Sequence, residues 1–252
     1  TAANLLNDCY DHRRELDTQV IPTSGAIVRG WISERQAFRA ATGCLAVGVV
    51  CGLFLVWKTG WVVLLLGGVG TLIAIGYTRT GFCFKYAGLG DLSIFLAFGV
   101  LPTFGAYWVQ SGHFSWLPII WSIPVSAYTV GILHANNWRD LNTDPDKGCR
   151  TFASMLGETK SAAYYRVLII GPILMTLGLC ALAFVPGTPA GLAPVTCAIV
   201  LLSAPLAFKL IRIDRTHNAG AFVMLDGKTA QIQLLFGILL PVAFISARWL
   251  GQ

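Results

Sequence analysis

The sequence predicts an all-α fold, a polytopic bundle of transmembrane helices. Three observations carry this reading. Of 252 residues, 55% are hydrophobic and only 12% charged, with a mean hydropathy of +0.66, whereas soluble domains carry about 25% charged residues. The apolar residues gather into runs close to the roughly 20 residues that a hydrocarbon core requires. These runs lack the two-residue alternation of a membrane β-barrel. The same composition excludes disorder, a collagen-like repeat and a disulfide-stapled secreted module.

Taken in order, a polar segment over 1–37 precedes seven apolar runs, at about 38–57, 61–77, 92–111, 116–135, 162–185, 190–211 and 230–250. Five of them contain a proline (Pro102, Pro124, Pro172, Pro205 and Pro241), which lipid-buried helices tolerate when neighbours satisfy the freed backbone groups. Seven spans place the connecting segments alternately on two sides. One side receives 1–37, 78–91, 136–161 and 212–229, with 16 of the 18 Lys and Arg in or beside these segments and all 12 Asp and Glu within them. The excess of basic residues makes that face cytoplasmic, in what we expect to be the inner (plasma) membrane of the cell. No basic, aromatic-interleaved patch points to nucleic acid. Acidic residues contribute little to orientation, so their collection on one face indicates a polar site there.

Cysteine chemistry adds little. Cys44, Cys51, Cys180 and Cys197 fall in the apolar runs, and no Cys-x-x-Cys pair marks a zinc or redox site. Nor does the chain hold a Gly-x-Ser-x-Gly elbow, a His-Glu-x-x-His pair or a phosphate-binding P-loop. Its chemistry is therefore expected to rest on metal and electrostatics.

Two acidic clusters stand out. In the first, Asn4, Asn7, Asp8 and Asp11 follow i, i+3, i+4, i+7 spacing, with Tyr10 between them and Asp17 beyond, so on a helix they share one face. In the second, Asn136, Asn137, Asp140 and Asp144 fit one helical face, and Pro145 marks the expected helix end. Asn7-Asp8-x-x-Asp11 matches Asn136-Asn137-x-x-Asp140, and Asp17 and Asp146 each stand six residues further on. Oxygen ligands at a membrane boundary suit Mg²⁺, which takes one or two carboxylates together with phosphate oxygens and water. Two facing acidic helix ends could hold Mg²⁺ ions on either side of a diphosphate. Arg139, Lys147 and Arg150 could pair with its oxygens. Helix capping and solvation are the plainer account of such residues, but they do not explain the repetition.

A third element lies between the second and third runs. Lys85 could face an anionic substrate or leaving group, and aromatic neighbours including Tyr86 could line a tunnel or anchor the membrane interface. Its sequence, Phe84-Lys85-Tyr86-x-Gly88-Leu89-Gly90-Asp91, together with His134-x-Asn136-Asn137-x-Arg139-Asp140 and Thr229-Ala230-Gln231, resembles the UbiA superfamily of intramembrane prenyltransferases. The likeness is greatest to the branch acting on 1,4-dihydroxy-2-naphthoate in menaquinone biosynthesis, and it runs from about residue 4 to 245. Glu15 stands where many members have a third Asp, and Cys149 where bacterial members often have Lys.

The resemblance implies a nine-helix fold. The seven runs would then be helices three to nine of a single domain spanning 1–252, with N-terminal helices missing. It also implies Mg²⁺-dependent transfer of a polyprenyl group from polyprenyl diphosphate to an aromatic acceptor, with loss of diphosphate and CO₂. Asn7, Asp8, Asp11, Asn136, Asp140 and Asp144 would hold the metal, with Lys85 and Arg139 on the diphosphate. Asp8, Asp11, Asp140, Asp144 and Lys85 would be catalytic; Tyr10, Asp17, Tyr86, Asp91, Asn137, Lys147 and Arg150 would support substrate binding. Other acceptors, such as 4-hydroxybenzoate or homogentisate, remain open at this stage. So do a cation transporter built on the carboxylates and a lipid-binding scaffold.

Overall fold

A computed structural model describes residues 1–13, 25–78, 83–141, 150–186 and 192–250. Among these residues the chain is helical, and its one β-bridge pairs Ala87 with Arg150. Helix α1 (Ala2–Arg13) carries the first polar cluster and packs on α2 (Glu34–Thr59) and α3 (Trp61–Thr78). Ser33 starts α2 by a capping box: its hydroxyl accepts from the Gln36 amide, and the Gln36 side chain returns to the Ser33 amide. Gly60, at φ 92°, ends α2 and lets α3 begin one residue later.

After a 3-10 turn at Phe84–Tyr86, α4 (Gly90–Phe95), a π-helical segment (Leu96–Val100) and α5 (Leu101–Ser111) form one continuous span. Then come α6 (Leu117–Arg139) and α7 (Phe152–Leu182). The last of these is kinked at Gly157 (φ 72°, ψ 176°). A 3-10 stretch (Val195–Ser203) leads into α8 (Ala204–Leu210), and the short α9 (Ala219–Val223) leads into α10 (Leu225–Trp249).

Among the described residues, five helical spans are long and apolar enough to cross a membrane: Glu34–Thr59, Gly90–Ser111, Leu117–Arg139, Phe152–Leu182 and Leu225–Trp249. The other two apolar runs are helical but shorter, at Trp61–Tyr77 and Val195–Leu210. The second of these differs most from expectation, because its first nine residues wind as a 3-10 helix.

Helix α6 is the hub, packing against α7, α10, α4 and the π segment. Its buried Tyr128 and Trp138 join Tyr165 and Ile169 of α7 and Ile232 and Phe236 of α10 in the main apolar core. Polar cross-links fix the three helices' register. Tyr165 and Thr229 hydroxyls meet at 2.6 Å, Thr229 donates to the Leu225 carbonyl, and the Gln233 amide donates to the Thr129 hydroxyl at 2.6 Å. The outward faces of α2, α3 and α10 carry exposed Leu, Val, Ile and Trp, as a lipid-facing surface requires.

Candidate active site

The two polar clusters meet across a cavity of about 550 Å³. Its walls are apolar: Gly70, Ile73, Ala74 and Tyr77 of α3, Ile94, Ala97 and Phe98 of the α4–π span, and Ile132 and Leu133 of α6. Its polar edge comes from Asn4 and Asn7 of α1, Asn136 of α6 and Asp226 of α10. The π segment shapes one wall. Gly99 lies so close to Ser126 that a Cβ there would collide with the serine side chain, so the bulge seats directly on α6 while Ala97 and Phe98 face the cavity.

At the polar edge, Arg139 gathers the oxygens of the second cluster. Its Nε and Nη2 lie 3.1 and 3.0 Å from the two oxygens of Asp140, its Nη1 donates to Asp226 Oδ2 at 3.1 Å, and its Nη2 donates to the Asn136 side chain. Asp226 was the residue missed by sequence reasoning. It sits 87 positions from Arg139, in the first turn of α10, and no local spacing announces a partner that only tertiary packing supplies. From the opposite side, Lys85 Nζ reaches Asn7 Oδ1 at 3.5 Å, linking the 3-10 turn to α1.

The helical-face expectation holds only in part. Asn4 and Asn7 face the cavity, but Asp8 turns to the following segment, where its Oδ2 accepts from the Ile27 amide at 3.2 Å. Gly25 is there because a Cβ would run into that carboxylate. In the second cluster α6 ends at Arg139, five residues before the expected stop, and Asp140 is its C-cap, with φ −94° and ψ 13°. Asn136 therefore lines the cavity while Asn137 is buried on another side of the helix. Asp91 is also buried, away from the cavity edge, with its Oδ2 3.6 Å from His134 Nδ1. Nε2 of that histidine must donate to the Ser161 carbonyl, at 3.2 Å, and the Tyr164 ring stands edge-on to it at 4.8 Å. Tyr10 is half-buried on α1, and Arg150 is exposed at the β-bridge to Ala87. Asp17, Asp144 and Lys147 lie outside the described residues, as do the side chains of Asp11 and Tyr86.

An apolar chamber rimmed by amide and carboxylate oxygens suits a substrate with a hydrocarbon tail and a charged head, and sequence comparison gives that shape a family. The UbiA prenyltransferase family profile matches residues 1–226. The chain belongs to the UbiA prenyltransferase family. Among similar proteins are those named UbiA prenyltransferase domain-containing protein 1. The one from Mus musculus is 31% identical over 252 residues, covering 98% of this chain and 70% of that protein. For Homo sapiens the figures are 30% identity, 98% and 69%. The Drosophila melanogaster homolog is 33% identical over 170 residues, covering 68% of this chain and 44% of that protein.

Family membership and five membrane-length helices make this UbiA chain an integral membrane prenyltransferase. The donors at its polar edge fit a hard divalent cation: two amide oxygens (Asn7, Asn136) and two carboxylates (Asp140, Asp226), with no sulfur. Among the described residues no three His, Cys, Asp or Glu converge as a closed metal cage. An open set of this kind could hold Mg²⁺ together with water and phosphate oxygens.

Proposed function

We propose that this chain transfers a polyprenyl group from polyprenyl diphosphate to an aromatic acceptor in a Mg²⁺-dependent reaction, with 1,4-dihydroxy-2-naphthoate as the acceptor. The observation that carries the reading is the cavity, an apolar chamber that ends at the paired polar motifs. The tail would lie against Ile73, Ala74, Ala97 and Leu133, and the diphosphate would sit among Asn7, Asn136, Asp140 and Lys85. Asp8, Asp11 and Asp144 belong to the same proposed metal set.

In the reaction, the allylic C–O bond breaks and its electron pair leaves on the diphosphate. The electron-rich ring forms the new C–C bond and releases its carboxylate as CO₂, the electron pair of that bond returning to the ring. The product is a demethylmenaquinol. Bound Mg²⁺ would neutralise charge on the leaving group. Arg139 and Lys85 add fixed positive charge at the same end, stabilisation that grows as the diphosphate departs. The apolar walls keep water from the cationic carbon. The basic-residue distribution supports a bundle of seven spans with this site on the cytoplasmic face.

The test incubates membranes containing the protein with Mg²⁺, labelled prenyl diphosphate and separate aromatic acids. Label should enter 1,4-dihydroxy-2-naphthoate with loss of CO₂. Preferential labelling of 4-hydroxybenzoate or homogentisate would overturn the acceptor, and transfer to no aromatic acid would overturn the reaction.

A further inference from the structure

Four side chains from four segments close around the C-terminal end of α6. Arg215, in the loop after α8, donates from Nη2 to the Trp138 carbonyl at 2.5 Å and to the Arg139 carbonyl at 3.2 Å. Its Nε lies 3.3 Å from Glu158 Oε2 of α7, and its guanidinium stands over the Phe222 ring of α9 at 5.0 Å. Glu158 uses its other oxygen to accept from Trp138 Nε1 at 2.9 Å, and Phe222 meets the Trp138 ring edge-on at 4.7 Å. The loop itself is shaped by Asp214, which accepts from the Thr216 and His217 amides at 2.9 and 2.6 Å.

The last carbonyls of a helix lack intrahelical partners and carry its negative end, so a guanidinium across them is favourable. Here the helix that ends is the one whose final residues hold the polar edge of the cavity. The peptide Arg215 grips at Arg139 leads directly into Asp140, and Arg139 in turn reaches Asn136, Asp140 and Asp226.

We propose that Arg215 is a positioning residue, which with Glu158 clasps the end of α6 and thereby sets Arg139 and Asp140 for the Mg²⁺–diphosphate head group. It acts through the backbone and does not touch substrate. The kinetic part of this inference rests on the prenyltransferase reading; the structural part does not.

The test compares the wild type with Arg215→Ala, Arg215→Lys and Glu158→Gln in proteoliposomes. Hydrogen exchange is read at the Asp140 and Leu141 amides, which bond to Asn136 and Trp138 carbonyls. Steady-state kinetics are read in parallel. Arg215→Ala should speed exchange at those amides while leaving α3 unchanged. It should raise KM for Mg²⁺ and for prenyl diphosphate about tenfold, the scale of one charge-assisted hydrogen bond, with the acceptor KM unmoved. Arg215→Lys keeps the charge but not the fork and should fall between. Glu158→Gln still accepts from Trp138 and should shift less than Arg215→Ala. Unchanged exchange at the end of α6 in Arg215→Ala would overturn the clasp. So would a uniform fall in activity with every KM unmoved, the mark of a merely structural role. If the wild type transfers no prenyl group, the reaction reading fails while the exchange result still decides the clasp.

Discussion

Asp140 takes two guanidinium donors from Arg139 at the end of α6, next to the polar edge of a largely apolar chamber. Replacing it with Ala removes a carboxylate from the proposed metal set and leaves Arg139 without one of its two acidic partners. Asp140→Ala should therefore lower prenyl transfer by roughly a hundredfold or more while membrane insertion and thermal stability stay near wild type, as activity assays beside a melting curve would read. A different loss is expected at His134, which is fully buried against Asp91. The His134 ring, 3.6 Å away, and the Tyr164 hydroxyl both face the buried Asp91 carboxylate, so losing His134 leaves that carboxylate with one polar neighbour fewer. His134→Ala should cost about 2 kcal/mol of stability, seen in thermal unfolding in detergent, and Asp91→Ala should cost less. That pair lay in plain sight in the sequence as two motif residues. Its burial was invisible there because spacing along one helix says nothing about which neighbour covers it. Asp8 is the counterpart: periodicity placed it on the shared face, and a backbone amide nineteen residues away turned it aside.

Among the elements, the π segment sets how closely the α4–α5 span approaches α6. The contact is Gly99 on Ser126, with no room for a methyl group. Gly99→Ala should destabilise by about 2 kcal/mol through overpacking, and Ser126→Gly in the same chain should restore part of it; equal melting temperatures for Gly99→Ala and wild type would contradict this. The loop that presents Arg215 makes a pH-dependent contribution of known sign. The His217 amide, with the His217 ring and the Thr216 hydroxyl, holds the Asp214 carboxyl down to about 2, from an ordinary 3.8. A lowered carboxyl favours the folded turn above the ordinary value and loses that advantage as pH falls toward 2. Exchange at the Thr216 and His217 amides should thus stay slow at pH 5 and quicken below pH 4 relative to neighbouring loops. Apolar runs predicted these helices well, since hydropathy reports directly on what lipid must cover. Helix ends were less legible: α7 begins at Phe152, well before its apolar run, because Thr151 caps it by accepting from the Ser154 amide. A buried cap outweighs composition there.

For the whole molecule, the sequence made the bilayer and the paired motifs readable, since scarcity of charge and its collection on one side are both compositional. It could not show that the motifs meet over an apolar chamber, which needs α1, α3, α4, α6 and α10 to converge. That chamber predicts substrate length. Gly70 lies on its wall with its nearest neighbour, Leu101, about as far as a Cβ contact reaches, 4.0 Å, so Gly70→Leu fills space without a backbone clash. The variant should keep geranyl diphosphate as a substrate and lose geranylgeranyl diphosphate, measured by product chromatography. The central claim, that the chamber under the two polar motifs holds the prenyl chain, is tested most directly by photocrosslinking. A prenyl diphosphate carrying a diazirine near its tail would be activated in proteoliposomes and the labelled residues mapped. The account predicts labels on Ile73, Ala74, Ala97, Phe98 or Leu133 that disappear with excess unlabelled prenyl diphosphate. Labels confined to the outward faces of α2 and α10, and insensitive to that competition, would contradict it.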